Sequence, residues 1–173
     1  VVERPASVVK ELIENSIDAG ASKIIVKIVA GGKGLISVID NGSGIAKSDL
    51  DLVFERHATS KIENLTDLEK VQSLGFRGEA LASIASVAKV TLRTKTEVAD
   101  YGYEVVKSGL EIGEPKPISL GTGTTIIVEN LFADVPVRFK YLKSEQTELG
   151  HILDVVTRMA AAAPHIHWQL FDG

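Results

Sequence analysis

Hydrophobic and polar residues alternate along the chain with two different periods, and these periods predict both helices and strands. An apolar stripe at helical spacing predicts a first helix that begins near Pro5 and ends at Gly20. Alternation over 23–29, with Ile24, Val26 and Ile28 on one face, and a second run over 35–40 predict two strands, which the turn at Gly31-Gly32 would join. The chain therefore opens with a helix and a β-hairpin.

The rest of the chain continues this mixture of helices and strands. The same patterns predict short helices at 48–54 and 78–87, strands at 89–94, 101–107, 124–129 and 165–171, and a long helix at 145–163. Ser48 and Ser144 are predicted to cap their helices, and the polar stretch 55–75 to form a functional loop. This irregular order predicts an α/β (α+β) two-layer sandwich, a mixed sheet with helices on one face. A doubly wound parallel sheet would need a helix between nearly every strand pair.

Length and composition restrict the possible classes of protein. The 173 residues suit a single domain, 1–173, and 45% hydrophobic with 24% charged residues is typical of a globular chain. The absence of cysteine excludes disulfides and thiolate catalysis, and a net charge of −4 argues against a strongly basic nucleic-acid-binding surface. Because the chain opens on Val1 and ends in an apparent strand and turn, we expect an excerpt of a longer protein.

The first helix carries polar residues on the side opposite its apolar stripe. Glu11, Asn15 and Asp18 follow one another at i, i+4 and i+7. One interpretation is an ordinary solvated helix face. The other is a ligand-facing pair, in which a carboxylate polarises a water and a neighbouring amide oxygen binds Mg²⁺, a cation that prefers oxygen ligands.

Asp40 ends the second predicted strand on the same face as Ile36 and Val38, which predicts a carboxylate aimed inward. An aspartate in Asp-Asn-Gly is also typical of a turn that bonds its own backbone. A buried carboxylate needs a hydrogen-bond donor, and the exocyclic amine of adenine would serve. Guanine has an acceptor at that position, and sites of this kind can reject such a ligand by ~10⁴–10⁵-fold.

Two further segments contain glycine and hydroxyl residues suited to phosphate. The segment 75–80 places glycines before a predicted helix, which indicates either an anion site or a plain turn. Hydroxyls and cations at 56–61 suit a phosphate-contacting lid or an exposed loop. Thr124 and Thr125 point to opposite faces of their predicted strand, so only one of them can join Asp40 in a pocket.

Four motifs occur in this order along the chain: Glu11-x-x-x-Asn15, Asp40-x-Gly42-x-Gly44, Gly75-Phe76-Arg77-Gly78-Glu79-Ala80 and Gly123-Thr124-Thr125. Together they resemble the four-motif nucleotide site of the GHKL ATPase superfamily. Within that superfamily, residues 1–12, 56–61 and 75–81 are similar to the MutL mismatch-repair family nearly letter for letter, and the resemblance covers essentially the whole chain. It implies the Bergerat type of α/β sandwich, which agrees with the predicted sheet.

The resemblance also implies a role for each matching residue. Glu11 would be the general base, Asn15 would hold Mg²⁺, and Asp40 would bind the adenine amine of ATP. Thr124 would support Asp40, Gly44 would lie close to the base, and Gly42 would belong to the same nucleotide-binding motif. The phosphates of ATP would be contacted by residues of the lid and the following helix start: Thr59, Ser60, Gly75, Phe76, Arg77, Gly78, Glu79 and Ala80.

By this resemblance the chain would be a slow Mg²⁺-dependent ATPase that switches a DNA mismatch-repair protein. ATP would order the lid and drive homodimerisation of the full-length protein. That protein would act with a mismatch-recognition protein, other repair factors and DNA. No membrane would be involved, and the compartment would be a bacterial cytoplasm or a eukaryotic nucleus. The alternatives are a topoisomerase ATP gate, a histidine-kinase-type phosphotransferase and a non-catalytic interaction module. Family members have an upstream dimerisation segment and a following domain that supplies a lysine, so we expect this chain alone to bind ATP weakly and turn it over slowly.

Overall fold

The computed structural model of the chain describes residues 2–55 and 79–173, and the account below concerns these residues. The helices are α1 (Pro5–Asp18), α2 (Leu50–Val53), α3 (Ala80–Ala85), α4 (Pro136–Tyr141) and α5 (Glu145–Ala162). The strands are β1 (Lys23–Val29), β2 (Leu35–Asp40), β3 (Lys89–Lys95), β4 (Gly102–Ser108), β5 (Glu111–Ile112), β6 (Lys116–Ile118), β7 (Gly123–Glu129) and β8 (His167–Asp172).

The described strands form one mixed sheet in the order β5-β4-β3-β7-β2-β1-β8, and β6 also pairs with β4. Their pairings are antiparallel except for β1 with β8, which is parallel. Strand β7 lies between β2 and β3, so it joins the hairpin to a strand that is distant from it in sequence. This arrangement confirms the predicted mixed sheet and brings the ends of β2, β3 and β7 to one place.

The helices cover one face of this sheet, as the alternating burial of the β1 side chains shows. In β1 the side chains of Ile24, Val26 and Ile28 are buried, whereas Lys23 and Lys27 are exposed. Helix α1 fits against that face and against α5 with the predicted apolar stripe of Val9, Leu12 and Ile13, all buried. Within the described ranges, no helix has the length and apolar character needed to cross a membrane.

The structure changes several predicted element ends and adds short elements. Strands β5 and β6 and helix α4 were not predicted, since they are two to six residues long and mostly exposed. Ser144 caps α5 as expected, and its Oγ accepts from the Thr147 amide at 3.2 Å. The predicted cap at Ser48 is wrong: a short 3₁₀ turn at Lys47–Asp49 precedes α2, so Ser48 lies inside that turn.

Candidate functional site

The strand register places three polar side chains in one row across the sheet. Asp40 of β2 lies opposite Thr124 of β7, and Thr124 lies opposite Thr94 of β3. Directly opposed residues of an antiparallel pair share a face, so all three point toward the helical layer. Thr124 and Thr94 are buried, and Thr125 points to the other face.

A small hollow of about 20 Å³ lies between this row and helix α1. Its polar walls come from Asn15, Ser16, Asp40, Ser43 and Thr124. The apolar walls and the turns that close the hollow are formed by Leu12, Ala19, Val38, Gly44, Ile45 and Ile126. An apolar cavity with a few convergent polar groups is the typical form of a small-molecule site.

Three hydrogen-bond donors converge on the carboxylate of Asp40. Its Oδ2 accepts from Ser16 Oγ at 2.6 Å, and its Oδ1 accepts from the amides of Gly42 at 2.9 Å and Thr124 at 3.2 Å. Burial raises the pKa of Asp40 above its ordinary value, and the three hydrogen bonds oppose that rise. The bond from Gly42 is the turn interaction that Asp-Asn-Gly predicted, so the same carboxylate both stabilises the turn and faces the cavity. A carboxylate accepts about four hydrogen bonds, which leaves room for a ligand donor at Oδ2.

Asn15 presents an unpaired amide to the same cavity. Its side chain is buried, and neither Oδ1 nor Nδ2 has a hydrogen-bond partner among the described residues. Leaving a buried polar group unpaired costs about 1–3 kcal/mol, so such a group at a cavity wall is typical of a ligand site. Because Asn15 is buried and shares a cavity wall with the turn at 43–45, the solvated-face interpretation is wrong for Asn15. Its amide oxygen suits Mg²⁺, which takes oxygen ligands.

Glu11 lies one turn earlier on α1 and lines a neighbouring hollow instead of the Asp40 cavity. That second hollow lies between α1 and the start of α3, where Glu14, Glu79, Ala80 and Ser83 also line it. Glu11 is half-buried, and within the described ranges it has no hydrogen-bond or ion-pair partner. About 6 Å of helical rise separates it from Asn15. Asn15 and Asp40 thus share one cavity. Glu11, which the sequence predicted on the same ligand side of α1 as Asn15, lines a different hollow, and Asp18 is exposed.

The glycines of the Asp40 loop allow backbone segments to approach closely. Gly44 has a φ of +73°, and a Cβ there would stand 2.0 Å from the Lys95 carbonyl oxygen. A Cβ at Gly42 would stand 2.8 Å from atoms of Ala19 at the end of α1. Both glycines therefore pack the loop against protein backbone, and Gly44 also lines the cavity.

Two cavity-related residues were missed by the sequence analysis. Ser16 continues the apolar stripe of Val9, Leu12 and Ile13 at helical spacing. Its hydroxyl, at a position where the stripe is otherwise aliphatic, is the signal that could have identified it. Thr94 had no local signal, because its role depends on the pairing of β3 with β7. Its hydroxyl contacts that of Thr124 at 2.9 Å.

Six of the predicted phosphate-contacting residues lie outside the described residues. They are Thr59, Ser60, Gly75, Phe76, Arg77 and Gly78. Of the same predicted group, Glu79 and Ala80 are described, and both line the hollow that contains Glu11. The phosphate contacts of all eight stay predictions.

Replacing Gly123 with Ala is expected to lower the free energy of unfolding by about 1–3 kcal/mol. Gly123 has a φ of +133°, and a Cβ would stand 2.1 Å from the Asp40 carbonyl oxygen and 2.9 Å from Asn41 Cα. The control is Gly121→Ala, two residues earlier, where a Cβ meets nothing within 4 Å and the expected change is under about 1 kcal/mol. Urea unfolding of both variants measures the difference; equal effects would contradict the steric argument.

A family model for histidine kinase-, DNA gyrase B- and HSP90-like ATPases matches residues 3–109. The chain belongs to this ATPase family. It is an ATPase domain homologous to ATP-hydrolysing domains, and its mixed sheet with helices on one face is the fold of solved members of the family.

The curated proteins to which this chain is similar in sequence include mismatch-repair proteins. The chain is 51% identical over 172 residues to the DNA mismatch repair protein MutL of Streptococcus pneumoniae serotype 19F and to the mismatch repair protein HexB of S. pneumoniae serotype 4. These alignments cover 99% of the chain and 26% of each relative, so the chain spans about a quarter of their length. The resemblance to MutL is thereby confirmed.

Solved structures agree with these sequence comparisons. The Aquifex aeolicus MutL ATPase domain complexed with ADP is 34% identical, with a TM-score of 0.79, and the match covers 99% of this chain and 61% of that one. The N-terminal domain of a DNA repair protein is 33% identical, with a TM-score of 0.80 and coverage of 99% and 50%. The family member from A. aeolicus therefore carries an adenine nucleotide on the fold described above.

Proposed function

We propose that this domain binds ATP with Mg²⁺ and hydrolyses it slowly, as the nucleotide switch of a MutL-type mismatch-repair protein. The observation that carries the proposal is the cavity in which the Asp40 carboxylate and the unpaired amide of Asn15 face the same space. The ADP complex of a relative that is 34% identical over nearly the whole chain supports an adenine nucleotide as the ligand.

In this proposal the base end of the cavity selects adenine. The Asp40 carboxylate accepts a hydrogen bond from the exocyclic amine through the open position at Oδ2, while its other contacts hold it in place. Thr124 lies beside Asp40 and supplies a second polar group to the base. Guanine turns a carbonyl toward the same carboxylate, and two acceptors facing each other in a buried site are unfavourable.

Asn15 is proposed as the protein ligand of Mg²⁺ through its amide oxygen. The fit rests on the buried, unpartnered side chain and on the hard oxygen donor that it offers. Bound Mg²⁺ would neutralise phosphate charge and leave most of its coordination positions to phosphates and water. The amide has no other partner among the described residues, so no hydrogen bond there has to be broken when the cation arrives.

Glu11 is proposed as the general base for the attacking water. The water oxygen forms a bond to the γ-phosphorus while the bond from that phosphorus to the bridging oxygen of ADP breaks, and the water proton passes to the Glu11 carboxylate. Glu11 lies one helical turn from Asn15, in a separate hollow that Glu79 and Ala80 also line. This separation of about 6 Å along the axis allows a phosphate group held near Asn15 to lie between the two side chains.

The proposal extends to the larger protein. In the larger protein, ATP binding is proposed to order the lid and to drive homodimerisation. The dimer is proposed to act with a mismatch-recognition protein, other repair factors and DNA. Both parts rest on the similarity to mismatch-repair proteins that are about four times as long as the chain. Thr59, Ser60, Arg77 and their neighbours are proposed as phosphate contacts on their sequence motifs alone. Slow turnover by this chain belongs to the same proposal.

Titration calorimetry with ATP, ADP and GTP in the presence of Mg²⁺ tests the proposed function. We expect ATP and ADP to bind and GTP to bind at least about 10²-fold more weakly, because Asp40 faces the amine position. Chelation of Mg²⁺ should weaken ATP binding more than binding of adenosine, which carries no phosphate. Absence of ATP and ADP binding, or equal affinity for GTP, would contradict the proposal.

A further inference from the structure

The hydroxyl of Thr94 is fully engaged by three neighbours, although Thr94 does not line the Asp40 cavity. Its Oγ1 lies 2.8 Å from the Ile45 amide nitrogen, 3.1 Å from the Gly123 carbonyl oxygen and 2.9 Å from Thr124 Oγ1. The residue is 1% exposed, so water has no access to supply or replace these contacts. Thr94 therefore joins the Asp40 loop, the start of β7 and the cavity wall.

Hydrogen counting gives each of these bonds a direction. A hydroxyl donates one hydrogen and accepts two. The Gly123 carbonyl can only accept, so the Thr94 hydrogen goes there, and the Ile45 amide can only donate to Thr94. The remaining bond must then run from Thr124 to Thr94, because Thr94 has no second hydrogen to give. The Thr124 hydrogen consequently points away from the cavity.

This direction determines the chemistry of the cavity wall. Thr124 lines the cavity, and its hydroxyl offers lone pairs to it while its hydrogen is held by Thr94. The ionised Asp40 carboxylate beside it is also acceptor-only. If both groups face position 6 of the base, where adenine has an amine and hypoxanthine a carbonyl, they present acceptors alone there, which suits the amine and disfavours the carbonyl.

We propose that Thr94 is a positioning residue that sets base specificity by keeping the Thr124 hydroxyl an acceptor. The inference rests on the proposed function, since it takes an adenine nucleotide as the ligand of the cavity. In the absence of the Thr94 oxygen, Thr124 is free to turn its hydrogen into the cavity and to donate to the carbonyl of hypoxanthine or guanine. Thr94 acts through Thr124 and does not itself touch the base.

The test compares the affinities for ATP and inosine triphosphate, which carries a carbonyl where adenine has its amine. Thr94→Val keeps the shape of the side chain and removes the acceptor. We expect its preference for ATP over inosine triphosphate to fall by about five- to tenfold, the equivalent of one hydrogen bond. Thr94→Ser restores the hydroxyl and should return the preference to within about twofold of the unchanged protein.

The preference ratio separates positioning from simple loss of structure. A loosened site would weaken both nucleotides by the same factor, so an unchanged ratio in Thr94→Val would overturn the inference, as would a Thr94→Ser variant that behaves like valine. If the valine variant does not fold, Thr94→Cys takes its place. A thiol is a weak donor and acceptor, so this variant should give a preference ratio between those of threonine and valine. A ratio equal to that of the unchanged protein would count against the inference. Lack of any ATP preference in the unchanged protein would instead overturn the proposed function together with it.

Discussion

Asp40→Asn is expected to abolish detectable ATP binding, with a loss of at least about 10²-fold in affinity. Asparagine has the size of aspartate but only one acceptor oxygen. Three donors already converge on the carboxylate, from Ser16, Gly42 and Thr124, and the adenine amine would be a fourth. With its oxygen toward the Gly42 and Thr124 amides, the new side chain puts its NH₂ group at the Oδ2 position. The Ser16 hydroxyl can turn to accept from that group, but the adenine amine is itself a donor and finds no acceptor there.

Calorimetric titration of the Asp40→Asn variant with ATP measures this loss. Asp51→Asn is the matched control, because Asp51 is exposed on α2, outside the cavity, and its removal should leave ATP affinity unchanged. Circular dichroism and thermal unfolding establish that the variant is folded. A folded Asp40→Asn variant that retains ATP affinity would refute the assignment of Asp40 to adenine.

The second large effect is expected for Glu11→Ala, which should slow ATP hydrolysis by about 10²–10⁴-fold while ATP binding persists. The reason is that Glu11 is proposed to take the proton of the attacking water and lies outside the cavity that receives the base. Binding and catalysis should therefore separate at this residue. Single-turnover hydrolysis of γ-labelled ATP measures the rate of the chemical step, and titration with ATP measures the affinity.

Glu14→Ala is the matched control for Glu11. Glu14 lies on the same helix and lines the same hollow, but it pairs with Lys10 at 3.9 Å, whereas Glu11 has no such partner in the described part of the chain. We expect its hydrolysis rate to change less than about threefold. A rate unchanged in Glu11→Ala, or lost equally in both variants, would remove Glu11 from the mechanism.

Much of the fold could be predicted from the sequence because its signals are local. Alternation predicted strand β1 at Lys23–Val29, and a second apolar run after the Gly31-Gly32 turn predicted strand β2 at Leu35–Asp40, both with the ends found in the structure. Ser144 marked the start of α5. Side chains two residues apart share a strand face, and capping involves neighbouring residues, so these features need no knowledge of distant parts. The same kind of signal placed Asp40 on an inward face beside a turn.

Only the tertiary structure decided how the site is assembled. The insertion of β7 between β2 and β3 sets Thr94, Thr124 and Asp40 in one row, and no local pattern encodes which distant strands pair. Asn15 shares its cavity with the distant turn at 43–45, and Glu11 faces a different hollow although the helical period places it beside Asn15. The sequence by itself determined the elements and the candidate chemical groups. Packing across the sheet determined which groups meet, because that geometry arises from contacts between residues that are far apart in the chain.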